Sequence, residues 1–434
     1  MKALSPNDPR NFTQQANVHC AYCDGAYHQV GFPNLDLQVH NCWLFFPYHR
    51  WYLYFYERIL GNLIGDPTFA LPFWNWDNPK GGMTIPSFYV DKNSPLYDPL
   101  RNLNHQPPVL IDLDYNRRDD DDPSASESVD PNEQIASNLS IMYRNVISNG
   151  KLPRLFLGSP YRAGDEPEPG AGSLENVPHG PVHSWTGDKR EPNRENMGIF
   201  YSAARDPIFF SHHANVDRMW SIWKTIPESA FFFYDENKNL VRVKVKDSLD
   251  TRKLGYVYQD VDIPWLKNKP KPKRSKAKKL ALAQDFIVGA AQAVETTPKS
   301  VKFPLTLDSK VSTLVKRPKL LRSKEEKEEE EEVLVIDGIE FDRNKAVKFD
   351  VFINDEDDKV ITPSNTEFAG SFVSVPHSHV HKNKKIKTCF RVGLTDLLED
   401  LEAENDDSIL VTLVPKYGKG LVTIRDIKIE LETE

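Results

Sequence analysis

The sequence predicts a mainly α N-terminal domain followed by a C-terminal β-sandwich. Three observations predict it. In the first half, apolar residues recur at helical spacing, as Val216, Met219, Trp220 and Trp223 do after a helix start at Asp206-Pro207. From about residue 336 the pattern changes to short alternating apolar runs. Between the two lies Lys267-Asn268-Lys269-Pro270-Lys271-Pro272-Lys273-Arg274, continuing to Lys279, a block of like charge with prolines. Such a block reads as a solvated linker.

The helical domain is expected over residues 1–266. Its first recognisable segment is His19-Cys20-Ala21-Tyr22-Cys23, followed by His40 and His49, which bracket the aromatic approach Asn41-Cys42-Trp43-Leu44-Phe45-Phe46-Pro47-Tyr48. The acidic stretch Arg117–Pro123 and the Gly/Pro-rich stretch Gly158–Gly172 read as breaks between helices. Pro178 and Pro181 are tolerable only where a helix starts, because first-turn amides have no intrahelical acceptor to lose. His179 and His183 are then four apart on one face.

Residues 267–335 are expected to be linker, including the glutamate-rich run Lys324–Glu332, which reads as exposed and mobile. Residues 336–434 are expected to form the sandwich, with strands at Val347–Ile353, Ile409–Val414 and Leu421–Ile424. His377, His379 and His381 alternate, but Lys382, Lys384 and Lys385 flank them, so a solvated loop or edge is expected there.

Composition fits a globular protein of about two to three domains. Of 434 residues, 39% are hydrophobic and 11% aromatic, enough for a real core. The net charge of −8 argues against a general nucleic-acid surface. No run of apolar residues reaches membrane-spanning length, and the start lacks a signal-peptide core.

The chemistry lies in the histidines. The chain has twelve, and six of them form two groups of three: His19, His40, His49 and His179, His183, His213. Three neutral imidazoles suit copper, iron, nickel or zinc and leave room for an exogenous ligand. Two such trios in one domain imply a dinuclear site able to handle two electrons. His-Glu-x-x-His and paired Cys-x-x-Cys patterns are absent. Spacing alone does not say which member of the His212-His213 doublet binds.

These segments resemble the plant polyphenol oxidases, the catechol oxidase and tyrosinase group of type-3 copper proteins. The resemblance runs over nearly the whole chain. His19–Tyr27, Val39-His40-Asn41 and Phe46-Pro47-Tyr48-His49-Arg50 look like the first copper motif. Pro178-His179 with Val182-His183, and His212–Trp220, look like the second. Gly255-Tyr256-Val257-Tyr258 resembles the Tyr-x-Tyr signal closing the copper domain, and Lys348-Phe349-Asp350-Val351 a signature of the C-terminal domain.

The resemblance implies a four-helix bundle around a dinuclear copper site, with two copper ions per chain. Copper A takes His19, His40 and His49; copper B takes His179, His183 and His213; His212 is a non-ligand. It implies a thioether between Cys23 and His40, which fixes the imidazole direction. Phe200 matches a gate residue above copper A, and Glu175 a glutamate that holds a water. Gly180 and Ser184 occupy positions that tune monophenol hydroxylation, where Gly180 has no side chain to orient a water. Asp217 and Arg218 are expected in a structural ion pair or cap, and Cys42 and Cys389 as thiols. The implied reaction oxidises two o-diphenols to o-quinones while one O₂ becomes two waters, with weak or absent monophenol hydroxylation. The partners are O₂ and small phenols, and an oxygen carrier of haemocyanin type is the alternative.

Plant members carry a chloroplast transit peptide and, ahead of the first copper motif, two further cysteines, one of which pairs with the counterpart of Cys20. This chain begins eighteen residues before His19. A truncated form is therefore expected, with a copper-poor inactive fragment as a further alternative. The implied compartment is the thylakoid lumen of the chloroplast. The C-terminal domain is expected to cover the entrance to the copper site.

Overall fold

The computed structural model describes residues 1–116, 129–223, 230–244, 249–273, 301–355, 361–377 and 385–433. The expected loop at Arg117–Pro123, the basic block from Arg274 to Lys279, His379 and His381 lie outside the described residues.

Five helices organise the N-terminal domain: α1 (Phe12–Cys23), α2 (Phe45–Ile64), α3 (Pro131–Val146), α4 (Gly180–Thr186) and α5 (Ile208–Ile222). Their ends follow local chemistry. The Asn11 side chain accepts from the Thr13 amide at 2.8 Å and starts α1. α2 stops at Gly65, whose φ of 72° is the left-handed cap that glycine supplies without strain. Asp130 caps α3, with Pro131 in its first turn. α4 opens at Gly180 with Pro181 in its first turn, and α5 opens after Asp206, whose carboxylate accepts from the Ile208 amide at 3.0 Å. Both proline and Asp-Pro signals thus mark real helix starts.

α2 and α5 pack against each other through aromatic rings, with Tyr56 stacked on Phe210 at 3.5 Å. The core around them is aromatic: Phe45, Phe46, Phe156, Phe209, Trp74, Trp76 and Trp185 are buried. Trp265 anchors the end of this domain; it is buried, and its indole donates to Asp77 at 2.9 Å. Among the described residues, no helix is long and apolar enough to cross a membrane.

The C-terminal part is a sandwich of antiparallel strands: β1 (Leu305–Thr306), β2 (Val311–Lys316), β3 (Glu331–Asp342), β4 (Val347–Ile353), β5 (Phe368–Ser374), β6 (Lys385–Gly393), β7 (Ser408–Tyr417), β8 (Thr423–Ile424) and β9 (Asp426–Glu432). One sheet runs β6-β3-β8-β1, with β9 also on β3; the other runs β2-β7-β4-β5. The expectation of linker as far as residue 335 is corrected here. β1, β2 and the start of β3 fall inside it, and β2 pairs with β7 from Ser408 to Leu413. Within the glutamate-rich run, Lys324–Glu329 forms an exposed helix with a Ser323–Glu326 capping box, while Glu331 and Glu332 are buried. The strand expected at Leu421–Ile424 shrinks to Thr423–Ile424.

On its β4-β5 side the second sheet is buried on both faces, and β4 and β5 are buried at every position. Side chains alternate along a strand. Phe349, Val351 and Ile353 therefore enter the sandwich core, while Phe352, Phe368, Val373 and Val375 join the core of the helical domain. Lys348 and Asp350 share the face of Phe352 and meet the helical domain with charge. The buried Lys348 ammonium lies 2.8 Å from the Asp114 carboxylate and 3.3 Å from Asp350. Ser371 Oγ lies 2.9 Å from Asp114 and 2.7 Å from Asp350, and Lys416 reaches Asp350 at 3.0 Å. A second buried pair, Arg343 with Glu168, crosses the same seam.

Removing one partner of a buried ion pair leaves the others uncompensated. Lys348→Met is expected to weaken the seam by about 3–5 kcal/mol. Chemical denaturation followed by fluorescence should show the midpoint of the C-terminal domain falling; an unchanged midpoint would mean that docking does not depend on this lysine.

Candidate metal centre

Five helical segments and one loop bring the histidines together. α1 carries His19 and, one turn later, Cys23; both are fully buried. His40 arrives on a loop that Gln38 ties to α1. The Gln38 amide nitrogen donates to the Cys23 carbonyl at 2.9 Å, and its oxygen accepts from the Val39 and His40 amides at 2.8 and 3.2 Å. α2 presents His49, α5 presents His213, and α4 presents His183. His179 ends a wide helical turn, Glu175–His179, in which Val177 is extended.

The backbone fixes which ring nitrogen faces inward. Nδ1 of His49 lies 2.7 Å from the Phe45 carbonyl, that of His179 3.1 Å from Glu175 and that of His183 2.9 Å from Met197. A carbonyl can only accept, so each Nδ1 carries the proton and each Nε2 keeps its lone pair. His40, His49 and His179 have buried Nε2 atoms with no hydrogen-bond partner. Nε2 of His183 faces Nε2 of His213 at 3.3 Å. Burial pushes every one of these imidazoles down, His49 to about 3 and His183 to about 4; neighbouring imidazoles add to the effect on His19, His40, His179 and His213. The rings are therefore neutral at pH 7, as metal ligands must be.

In each group the ligand atoms lie within 4.8 Å of one another. The groups also meet: His49 stacks on His213 at 4.2 Å, and His40 on His179 at 6.2 Å. That is a site for two ions side by side. Buried lone pairs without donors are costly unless a cation takes them, and an all-imidazole set suits copper. The second group includes His212 as well. Its ring differs from His213 in setting: Nδ1 accepts from the Trp76 indole at 3.2 Å, and the ring stacks on His179 at 5.4 Å.

The other residues singled out from the sequence surround this centre. Cys23 Sγ lies 3.4 Å from His40 Nδ1 and equally far from His19 Nε2. Phe200 stacks on His40 at 4.3 Å and meets the edge of His183 at 5.4 Å. Glu175 is buried, and one oxygen accepts from the Asn41 amide at 2.6 Å; burial holds its carboxyl well above the usual carboxylate range. Ser184 is buried on α4. At Gly180 a Cβ would come within 3.0 Å of Val373 from β5.

Asp217 and Arg218 do form ion pairs, each with a different partner. Asp217 pairs with Arg50 and accepts from the Tyr256 hydroxyl at 2.8 Å and from Tyr258; Arg218 pairs with Asp77 at 3.1 Å. Arg50 follows His49 in sequence, and Asp217 lies one turn after His213, so this pair locks the two ligand helices together.

His377 corrects the expectation of a solvated loop. It is fully buried, 4.6 Å from Phe200 and 6.0 Å from His40, and the Phe200 amide donates to the Pro376 carbonyl at 3.1 Å. The apolar run Phe368–Val375 just before it was the available signal; the lysines after it were the misleading one. Gln38 carried no signal in the sequence.

Comparison with known proteins agrees with this geometry. Residues 9–226 match the model for the common central domain of tyrosinase, 228–271 the polyphenol oxidase middle domain, and 303–431 the chloroplastic polyphenol oxidase C-terminal domain. The chain is 64% identical to polyphenol oxidase A1, chloroplastic, of Vicia faba, over 100% of this chain and 73% of that one. It is 55% identical to aureusidin synthase of Antirrhinum majus, over 100% and 77%. The structure of latent apple tyrosinase superposes with a TM-score of 0.89 at 60% identity, covering 100% of this chain and 92% of that one.

The buried imidazoles make stability depend on pH. Their folded pKa values lie below the ordinary 6.5, so the unfolded chain takes up protons first as pH falls. Metal-free protein should be fully stabilised above pH 6.5 and lose stability as pH drops towards 4, by about 1.4 kcal/mol per pH unit for each histidine that resists protonation. Thermal midpoints of the metal-free chain over that range test this. A flat profile would mean that the rings are not held neutral.

Proposed function

The chain belongs to the plant polyphenol oxidases of the type-3 copper, tyrosinase family, and from that premise we propose that it oxidises o-diphenols to o-quinones with O₂ as oxidant. One observation carries the proposal: two trios of buried, neutral imidazoles share one chamber, with His49 stacked on His213. His19, His40 and His49 hold copper A; His179, His183 and His213 hold copper B. His213 is preferred to His212 because it faces the other trio, whereas His212 is engaged by Trp76. The copper pair, when bound, supplies electron exchange between the phenol and O₂. Two catechols give four electrons and four protons, and one O₂ leaves as two waters.

The remaining residues set conditions around that exchange. Cys23 lies within reach of the His40 ring, and a thioether there fixes the ring direction. Phe200 covers copper A and orients the phenol ring by stacking. Glu175, anchored by the Asn41 amide, holds a water beside the site. Gly180 offers that water no second partner, so a monophenol receives little help in losing its proton. This favours catechol oxidation over tyrosinase-type hydroxylation. The buried imidazole set and the likeness to named oxidases favour an enzyme over the oxygen-carrier and copper-poor alternatives.

The C-terminal domain acts as a shield. Val373, Val375 and His377 pack over Gly180 and Phe200, so a phenol reaches the coppers only after this segment moves. By likeness to relatives named chloroplastic, the chloroplast is the proposed compartment, with the thylakoid lumen as its site.

Metal analysis of the folded, loaded chain should give about two coppers, falling to about one in His213→Ala and staying at two in His212→Ala. Retention of both coppers in the first variant would overturn the assignment. Mass spectrometry of an alkylated digest should find the Cys23 and His40 peptides joined.

Catechols should be oxidised at least about tenfold faster than monophenols once the shield is opened. Comparable initial rates on dopamine and tyramine would contradict this. Gly180→Asn should raise the monophenol rate, but its side chain meets Val373. The variant is therefore best made together with Val373→Ala.

A further inference from the structure

A cavity of about 420 Å³ lies on the seam between the two domains. The helical domain contributes Asn193, Arg194 and Ile199; the sandwich contributes Lys345, Lys419 and Pro376, with Leu421 beside them. Arg194 on one wall and Lys345 and Lys419 on the other line this concavity, and among the described lining residues there is no aspartate or glutamate. Ile199, Pro376 and Leu421 make part of the wall apolar.

The wall is held by backbone on both sides. Arg194 has φ +62° in a tight turn, and its carbonyl accepts from the Gly198 amide at 3.0 Å. Opposite it, the Lys345 amide donates to Asp342 at 2.9 Å, and the His377 amide donates to Arg343 at 3.0 Å. The Phe200 amide to Pro376 carbonyl bond closes the seam next to the cavity. The cavity is therefore one residue away from the contact that sets His377 over Phe200.

We propose that this cavity binds a small organic anion, a phosphate or carboxylate head group on a compact apolar body, and that binding holds the shield closed. Cationic residues stand on both walls, so an anion seated between them is attracted to each domain. The half-apolar wall accommodates a ring or short chain behind the head group. The direction of the effect follows from the construction. Its walls come from two domains, so the complete site exists only when they are docked. A ligand that needs both walls binds the docked state alone and shifts the equilibrium towards it. At about one hundred times its dissociation constant it raises the docked-to-open ratio about a hundredfold. The occupant is thus an inhibitor of opening. That consequence rests on the shield reading above; the binding site itself does not.

The test uses the full copper-loaded chain with phenyl phosphate as probe, inorganic phosphate as the head group alone, and chloride at matched ionic strength as the screening control. Binding is read by calorimetry. Docking is read by hydrogen exchange of β5, the edge strand that faces the helical domain, so neither readout depends on enzyme activity. Phenyl phosphate should bind more tightly than inorganic phosphate and slow exchange in β5 at least tenfold, with no such effect from chloride. Lys345→Glu with Lys419→Glu should abolish both effects; both residues are exposed, and Lys345→Gln alone gives a milder check with the same direction. Equal binding to the double variant would overturn the site. Binding that is lost in the variant yet leaves β5 exchange unchanged in the unmodified chain would overturn the coupling to the shield. Faster exchange with the probe bound would reverse its sign.

Discussion

Everything in the helical domain serves one constraint: several imidazole rings must be buried, neutral and aimed at a common centre. Burial alone does not aim a ring. Backbone carbonyls do, because a carbonyl beside Nδ1 fixes the proton there and leaves Nε2 pointing away. Phe45, Glu175 and Met197 perform this for His49, His179 and His183. The extended residue Val177 and the short helix after it matter for the same reason. They set the Glu175 carbonyl one turn from the His179 ring while starting a new helix for His183. The ion pair of Arg50 with Asp217 then holds together the helices that carry His49 and His213.

A second constraint comes from the sheet. A strand buried on one face reads as alternation, and a strand buried on both reads as continuous burial with mixed chemistry. β4 is the second kind. Its odd positions are apolar because they fill the sandwich; Lys348 and Asp350 are charged because their face meets Asp114 of the helical domain. Buried charge is weak evidence of added stability, but it is demanding about geometry. A docking surface built on Lys348, Asp114 and Asp350 tolerates one alignment of the two domains, and that alignment sets Val373 and His377 over the copper site.

These two constraints explain what the sequence reveals. The histidine trios are legible because their members lie in short segments whose neighbours are apolar or aromatic, and because residue type limits the chemistry. Pro178, Pro181 and Asp206-Pro207 mark helix starts by local sterics alone, and β4 and β7 show period-two runs. His377 departs from its local pattern because its burial is supplied by a different domain, while the charge that follows it is local. The stretch 301–335 resembles a linker in sequence because β1 and β2 are short and flanked by lysines and glutamates, and their partners β8 and β7 lie about a hundred residues on. The roles of Gln38 and Arg50 depend on contacts that no spacing rule encodes. Local chemistry is readable; burial by distant segments is not.

The position after His179 shows how the two domains constrain each other. Gly180 is small, and from the chemistry alone its smallness bears on which phenols are activated. The structure gives it a second reason: Val373 occupies the space where any side chain would start. A larger residue at 180 must displace β5, and β5 is paired to β4, whose Lys348 anchors the seam. On the proposed reading, substrate preference and closure of the shield therefore share one van der Waals contact. A change that orients a proton-accepting water at position 180 also pries at the cover, so the two properties cannot vary independently unless Val373 shrinks with it. The same geometry works in reverse: while β5 stays docked, the space beside Gly180 is filled by Val373 of the protein itself.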